Sequence, residues 1–233
     1  MGKLILHIGP HKTGTSYIQR MMVENHALLS PHMQIIHKSD PVYYALVLAC
    51  IRMAKNEHDT SDLISDLATA MAQTITQDIA LASHEDILGP LPSNYRYNPL
   101  YGMSAQFLAI IQSGVRDAGH DIQFVFYVRR FNDWLHSLYR YRFRDQPDRP
   151  FAPQQYKRRK NLPDNWLTLR AQLEQALGAD NITFINYETD RATGRFGTAL
   201  FKTCGLSNAN LDTLNWIAPV NVSQPKTVDP DHW

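Results

Sequence analysis

The sequence predicts an α/β fold: a central, mostly parallel sheet of about five strands, flanked by helices, three layers in all. Three observations predict it. Five short apolar runs have the length of buried strands, stretches with helical spacing separate them, and the first run feeds a glycine turn that opens into a helix. Strands alternating with helices imply right-handed crossovers and a parallel sheet covered on both faces.

The first run is KLILHI (3–8), and the helix after it carries Ile18, Met21 and Met22 on one face. The second run is MQIIHK (33–38). Helical spacing follows over about 42–55 and again over about 60–77, the latter opened by Thr60, Ser61 and Asp62, residue types that cap helix starts. The third run is DIALAS (78–83). Proline-rich LGPLPSNYRYNP (88–99) reads as a surface loop, and MSAQFLAIIQSGVRDAG (103–119) as a helix with a glycine stop. IQFVFYV (122–128) is the fourth run, with a helix near 131–144 behind it. RDQPDRPFAPQQYKRRKNLPDN (144–165) reads as a second long surface loop, of the kind that is often functional or mobile. A helix near 165–177, the fifth run NITFINY (181–187) and a helix near 193–204 complete the pattern. No repeat or low-complexity linker interrupts it, so residues 1–233 are expected to form one domain.

Composition narrows the function. A formal net charge of +1 gives no ground for nucleic-acid binding. Cys50 and Cys204 are too few for a disulfide framework and lack metal-ligand spacing; they read as buried apolar residues of a reducing compartment. No basic leader with a small-residue cleavage site follows Met1, and no apolar run approaches the roughly 20 residues of a membrane span. A cytoplasmic protein without a membrane span is the expectation.

The segment HIGPHKTGTS (7–16) carries the chemistry. A strand, a glycine turn and a helix start together present free backbone N–H groups and a positive helix end, which bind anions. Gly9 and Gly14 allow close backbone approach, Lys12 adds a point charge, and Thr15 and Ser16 add hydroxyls. The spacing is that of a phosphate loop, yet the lysine stands two residues before the second glycine rather than directly after it. An ATP or GTP enzyme normally needs the later position and a magnesium-binding acid at a strand end, a role for which Asp86 is placed.

PHKTGTS resembles the 5′-phosphosulfate loop of sulfotransferases that use 3′-phosphoadenosine 5′-phosphosulfate (PAPS), and HIGPHKTGTSYIQ is most similar to their bacterial branch. A second motif of that family, a strand ending in arginine with serine eight positions later on the next helix, is matched by FVFYVRRFNDWLHSLYRY through Arg129 and Ser137. The resemblance implies a P-loop fold. It also implies that Lys12, Thr13, Gly14, Thr15 and Ser16, with His11 beside them, hold the 5′-phosphosulfate, that Arg129 and Ser137 hold the 3′-phosphate, and that adenosine 3′,5′-bisphosphate leaves as product without need of a metal. The arginine fork suits bidentate phosphate binding. FINYETD (Tyr187, Glu188) resembles the family's late strand, and PVNVSQPK (219–226) a segment that closes over the nucleotide. The family's usual RNP or RDP is RRFND here, so Arg130 could substitute for or assist Arg129. Trp134 and Trp166 read as core residues.

In ALASHED the resemblance places a general base just after the third strand. Glu85 is the first choice, on the family's Ser-x-Glu pattern. His84 is the second, because free imidazole titrates nearer neutrality. His11 is a third candidate, and His7 reads as a core histidine. The implied reaction is transfer of a sulfuryl group from PAPS to a hydroxyl or amine of a carbohydrate or small-molecule acceptor. The rivals are a P-loop nucleotide or small-molecule kinase and a non-catalytic nucleotide-binding protein. Ten basic residues lie between Arg129 and Lys160 against Asp133, Asp145 and Asp148. Such a run is ordinarily a solvated, mobile loop; its functional version is a basic rim that attracts the donor or an anionic acceptor. Tyr95, Tyr97, Tyr101, Tyr139, Tyr141 and Tyr156 stand near these loops as candidate sugar-stacking rings.

Overall fold

The structure, a computed structural model, describes residues 1–92 and 99–218. Five strands form one parallel sheet: β1 (Lys3–His7), β2 (Gln34–Ile36), β3 (Ile79–Ser83), β4 (Asp121–Val128) and β5 (Ile182–Asn186), in the order β2-β3-β1-β4-β5. Four fall inside the apolar runs, and β4 starts one residue before its run, at Asp121. Lys3 pairs with both Ile79 and Asp121, so β1 lies at the centre and its carboxyl end opens between β3 and β4.

The helices are α1 (Thr15–Glu24), α2 (His26–Leu29), α3 (Pro41–Ala54), α4 (Ser61–Gln73), α5 (Ser104–Asp117), α6 (Phe131–Arg142), α7 (Pro153–Arg159), α8 (Leu167–Leu177), α9 (Tyr187–Ala192), α10 (Thr198–Thr203) and α11 (Asn208–Thr213). Alternating strand residues face opposite sides, and each side supports its own core. Leu4, Leu6, Ala80, Ala82, Phe124 and Phe126 join the apolar sides of α3, α4, α5, α6 and α8. Ile5, Leu81, Val125, Tyr127 and Ile185 join α1, α2, α10 and α11. Three layers follow directly from this alternation. Cys50 and Cys204 are buried free thiols, one in each core, and burial pushes Cys204 up to about 12.

Several expectations need correction. The 144–165 stretch contains α7, started by Pro153 at its first turn and anchored by buried Tyr156. Tyr187 and Glu188 open α9 instead of extending β5, because the Asn186 side chain accepts from Thr189 N–H and caps a helix there. The helix placed near 193–204 is the shorter α10, starting at left-handed Gly197, and that placed at 60–77 stops at Gln73. Thr60 stands at the start of α4 but turns its hydroxyl to the Ala49 carbonyl, while Asp59 accepts from Ser61 N–H. PVNVSQPK, Tyr95 and Tyr97 lie outside the described residues. Among the described residues no helix is long and apolar enough to cross a membrane.

Candidate functional site

The loop from Ile8 to Gly14 connects β1 to α1 at the carboxyl edge of the sheet, where α/β folds bind ligands. Two of its residues are left-handed, Lys12 at φ 71° and Gly14 at φ 88°. Gly14 is required twice over: the conformation favours glycine, and a Cβ there would sit 2.4 Å from the Phe196 ring. At Gly9 a Cβ would come within 2.6 Å of His7 Nε2.

The turn leaves its polar groups open. Tyr17 and Ile18 N–H donate to the Gly14 carbonyl, but the backbone N–H groups of Lys12, Thr13, Gly14, Thr15 and Ser16 meet no protein acceptor among the described residues. Thr15 Oγ1 and Arg129 Nε are buried without a partner as well. Thr13 is different: its hydroxyl donates to the Pro10 carbonyl at 2.6 Å and braces the loop from within.

Arg129, at the end of β4, is brought against this loop. Its Nη1 donates to the Lys12 carbonyl at 2.8 Å, and its guanidinium lies 4.9 Å from the centre of the Tyr187 ring. Both tryptophans are core residues, and both brace the site through backbone. Trp134 Nε1 donates to the His11 carbonyl at 2.8 Å, and Trp166 Nε1 to the Arg129 carbonyl at 2.7 Å. Ser137 is half-buried on α6, and its hydroxyl takes no protein partner among the described residues. Arg130 is turned outward, three-quarters exposed, and pairs with Asp133 at 2.8 Å. A cavity of about 320 Å³ opens beside Arg129, lined by Arg130, Tyr187, Glu188 and Arg191 among others.

Burial, followed by the charge of Arg129, holds the Lys12 ammonium below its ordinary titration range; Glu85 opposes this and Arg144 adds to it. Lys12 Nζ sits 4.3 Å from the centre of the Tyr141 ring, and the Arg144 guanidinium 4.9 Å from the same ring. Lys12, Arg129 and Arg144 thus form a cationic group facing one carboxylate. The sequence alone did not single out Arg144 from its basic run.

The three base candidates fare differently. His11 has both ring nitrogens engaged. Nε2 lies 2.8 Å from Asp86 Oδ1 and Nδ1 lies 2.9 Å from the Tyr101 hydroxyl, which also accepts from His11 N–H. With Nε2–H donating to the carboxylate, Nδ1 accepts from Tyr101. Burial alone would raise Asp86; the hydrogen bond from His11 and the neighbouring imidazoles of His11 and His84 outweigh it and hold the carboxyl below its usual range. His84 Nδ1 accepts from Asp86 N–H at 3.2 Å, and burial lowers its imidazole against the opposing pull of Glu85 and Asp86. Glu85 receives a hydrogen bond on Oε2 from Gln19 Nε2 at 3.2 Å, while Oε1 accepts none among the described residues.

Gln19 is a residue the sequence reading missed. It is buried on α1, donates also to the Ser83 carbonyl at 3.1 Å, and accepts on Oε1 from Lys38 Nζ at 3.3 Å. These three bonds fix which way its amide points, so Glu85 faces a donor. Asp190 was missed too. Buried in the first turn of α9, it accepts from the Tyr127 hydroxyl and from Gly197 and Ala199 N–H, pinning the turn that carries Phe196 over Gly14. His7 is buried, with Nδ1 2.8 Å from Ser83 Oγ and Nε2 unpartnered; burial pulls it down to about 3.

Among the described residues no group of three or more His, Cys, Asp or Glu side chains gathers to hold a metal ion. No family model matches the chain, and no curated protein matches it. A crystal structure of a sulfotransferase from Alicyclobacillus acidocaldarius aligns with it. The alignment covers 89% of this chain and 80% of the other, at 15% identity and a TM-score of 0.45.

Proposed function

We propose that this protein is a PAPS-dependent sulfotransferase. The observation that carries the reading is the unsatisfied polar surface around Gly14. The backbone N–H groups of residues 12–16, buried Thr15 Oγ1 and, from the end of β4, buried Arg129 Nε meet at this turn without protein partners among the described residues. Buried polar groups are costly to leave unpaired, so such a cluster is built for a ligand rich in acceptors. The lysine placed before Gly14, with Arg129 and Ser137 beyond it, favours a donor that is anionic at two separate places over a nucleoside triphosphate.

Bound PAPS would supply an activated sulfuryl group. The N–H groups of residues 12–16, with Thr15 and Ser16, would hold its 5′-phosphosulfate, and Arg129 and Ser137 its 3′-phosphate. Transfer breaks the sulfur–oxygen bond to the nucleotide's phosphate and forms one to the acceptor oxygen or nitrogen. Lys12 offsets the charge that develops on the departing phosphate oxygen. The acceptor's proton passes to Glu85 through its free Oε1. Neither histidine suits that task, since the Nδ1 lone pair of each is already engaged. For the kinase alternative, one oxygen of the Asp86 carboxylate is already engaged by His11. Two buried free thiols accord with a cytoplasmic setting.

Thermal melts without magnesium test the donor. Adenosine 3′,5′-bisphosphate is expected to raise Tm at concentrations where ATP does not, because a ligand bound only to the native state stabilises it. Stabilisation by ATP instead would overturn the reading. Turnover of PAPS with a panel of hydroxyl and amine acceptors then separates an enzyme from a nucleotide-binding protein.

A further inference from the structure

The basic run is only in part a loop. Arg140 to Lys160 contains eight basic and two acidic residues, a local net charge of +6 in a chain whose formal net charge is +1. These residues fold into a helical hairpin, the end of α6 and all of α7, closed on an aromatic cluster. The Tyr139 ring lies 4.7 Å from Phe143, 5.4 Å from Phe151 and 5.7 Å from Tyr156, and its hydroxyl donates to the Pro150 carbonyl at 2.7 Å. Arginines are mounted on this cluster. Arg140 lies over Phe151 at 5.1 Å and Arg149 over Phe143 at 3.9 Å. Stacking fixes guanidinium positions in advance; Arg149 is held further by donating from Nε to the Tyr139 hydroxyl and from Nη1 to Gln146 Oε1.

Little neutralises the platform. Arg144 pairs with Asp145 at 3.6 Å, and Lys157 pairs with Asp164. No carboxylate among the described residues reaches exposed Arg158, Arg159 or Lys160. The platform is also continuous with the catalytic loop, because one side chain, Tyr141, lies under both Lys12 and Arg144. The α6 end of the platform therefore stands beside Lys12.

We propose that the α6–α7 hairpin is the acceptor platform, and that the acceptor is an oligosaccharide carrying carboxylate or sulfate groups. The proposal rests on the sulfotransferase reading for the need of a hydroxyl, and on the hairpin for the negative charge. Fixed arginines bind the anionic groups, and the half-exposed side chains of Tyr141 and Phe151 border them with apolar surface.

The test measures binding of a short dextran sulfate, with neutral dextran of equal length as control, with and without saturating adenosine 3′,5′-bisphosphate. Dextran sulfate is expected to bind in both conditions, more weakly as salt rises, and neutral dextran not to bind. The combined variant Arg158→Ser/Arg159→Ser/Lys160→Ser alters exposed positions at the end of α7. It is expected to lower dextran sulfate affinity at least tenfold and to leave binding of adenosine 3′,5′-bisphosphate unchanged. Unchanged dextran sulfate affinity in that variant, or equal binding of neutral dextran, overturns the platform. Tighter binding of a single-stranded RNA of equal charge also overturns it, reassigning the face to nucleic acid. Failure of adenosine 3′,5′-bisphosphate to bind the wild-type protein refutes the donor reading instead, so the two failures are distinguishable.

Discussion

Glu85 differs from the histidines near it in keeping one oxygen unengaged among the described residues. Three side chains with the right chemistry lie within reach of the loop, and hydrogen bonding sorts them. His11 is clamped between Asp86 and Tyr101, His84 has given its Nδ1 lone pair to Asp86 N–H, and Glu85 is held only from the Gln19 side. Replacing a general base typically costs about 10²–10⁴-fold in rate. Glu85→Gln is accordingly expected to lower sulfuryl transfer by that factor while leaving the Tm shift from adenosine 3′,5′-bisphosphate intact. His84→Gln is expected to stay within about tenfold of wild type. The reverse ordering, measured with any acceptor the panel yields, would move the base to His84. SHED offers candidate bases just after β3, but sequence does not choose among them. The choice depends on Gln19, 66 residues away, and on Lys38, which sets the Gln19 amide.

At the scale of elements, the strand–loop–helix unit at the start of the chain was legible almost completely, and for a physical reason. Its signals are local: an apolar run, two glycines at positions that tolerate no Cβ, and hydroxyls at a helix start. The five strands were legible for the same reason, each being a short apolar run between turn residues. Elements whose cause is tertiary were not. α7 carries two buried residues, Pro153 and Tyr156, in a charged segment, and only its aromatic neighbours make it worth folding. Asp190 sits in YETD as an unremarkable acid, and its three hydrogen bonds appear only once Phe196 is folded back over the loop. That contact yields a prediction for α1. Gly14→Ala forces a side chain into left-handed backbone and into the Phe196 ring at once. The backbone alone costs about 1–2 kcal/mol. A lower Tm and loss of stabilisation by adenosine 3′,5′-bisphosphate are expected together; a variant that melts and binds as wild type would show that the loop relaxes around the methyl group.

The molecule as a whole is two apolar cores separated by one sheet, and the central strand ends in a titratable residue. His7 lies on β1 between Ser83 and Tyr127, fully buried, and burial pulls its imidazole from the ordinary 6.5 to about 3. Between those values the unfolded chain binds a proton that native His7 refuses. The unfolded state then holds more protons, so stability rises with pH across this window and is lost on acidification from 6.5 toward 3. At pH 4.5, two pH units into the window, the loss from this residue is about 3 kcal/mol. Carboxylates titrate in the same range, so wild-type melts alone do not isolate it. His7→Asn keeps an amide near Ser83 and removes the proton site. Its stability relative to wild type is expected to improve by about 3 kcal/mol between pH 7 and pH 4.5, whatever its deficit at neutrality. Denaturant unfolding at the two pH values reads this difference directly. Parallel losses in the two proteins would mean that His7 accepts its proton without unfolding the sheet, and that the space behind Gly9 admits water to its Nε2.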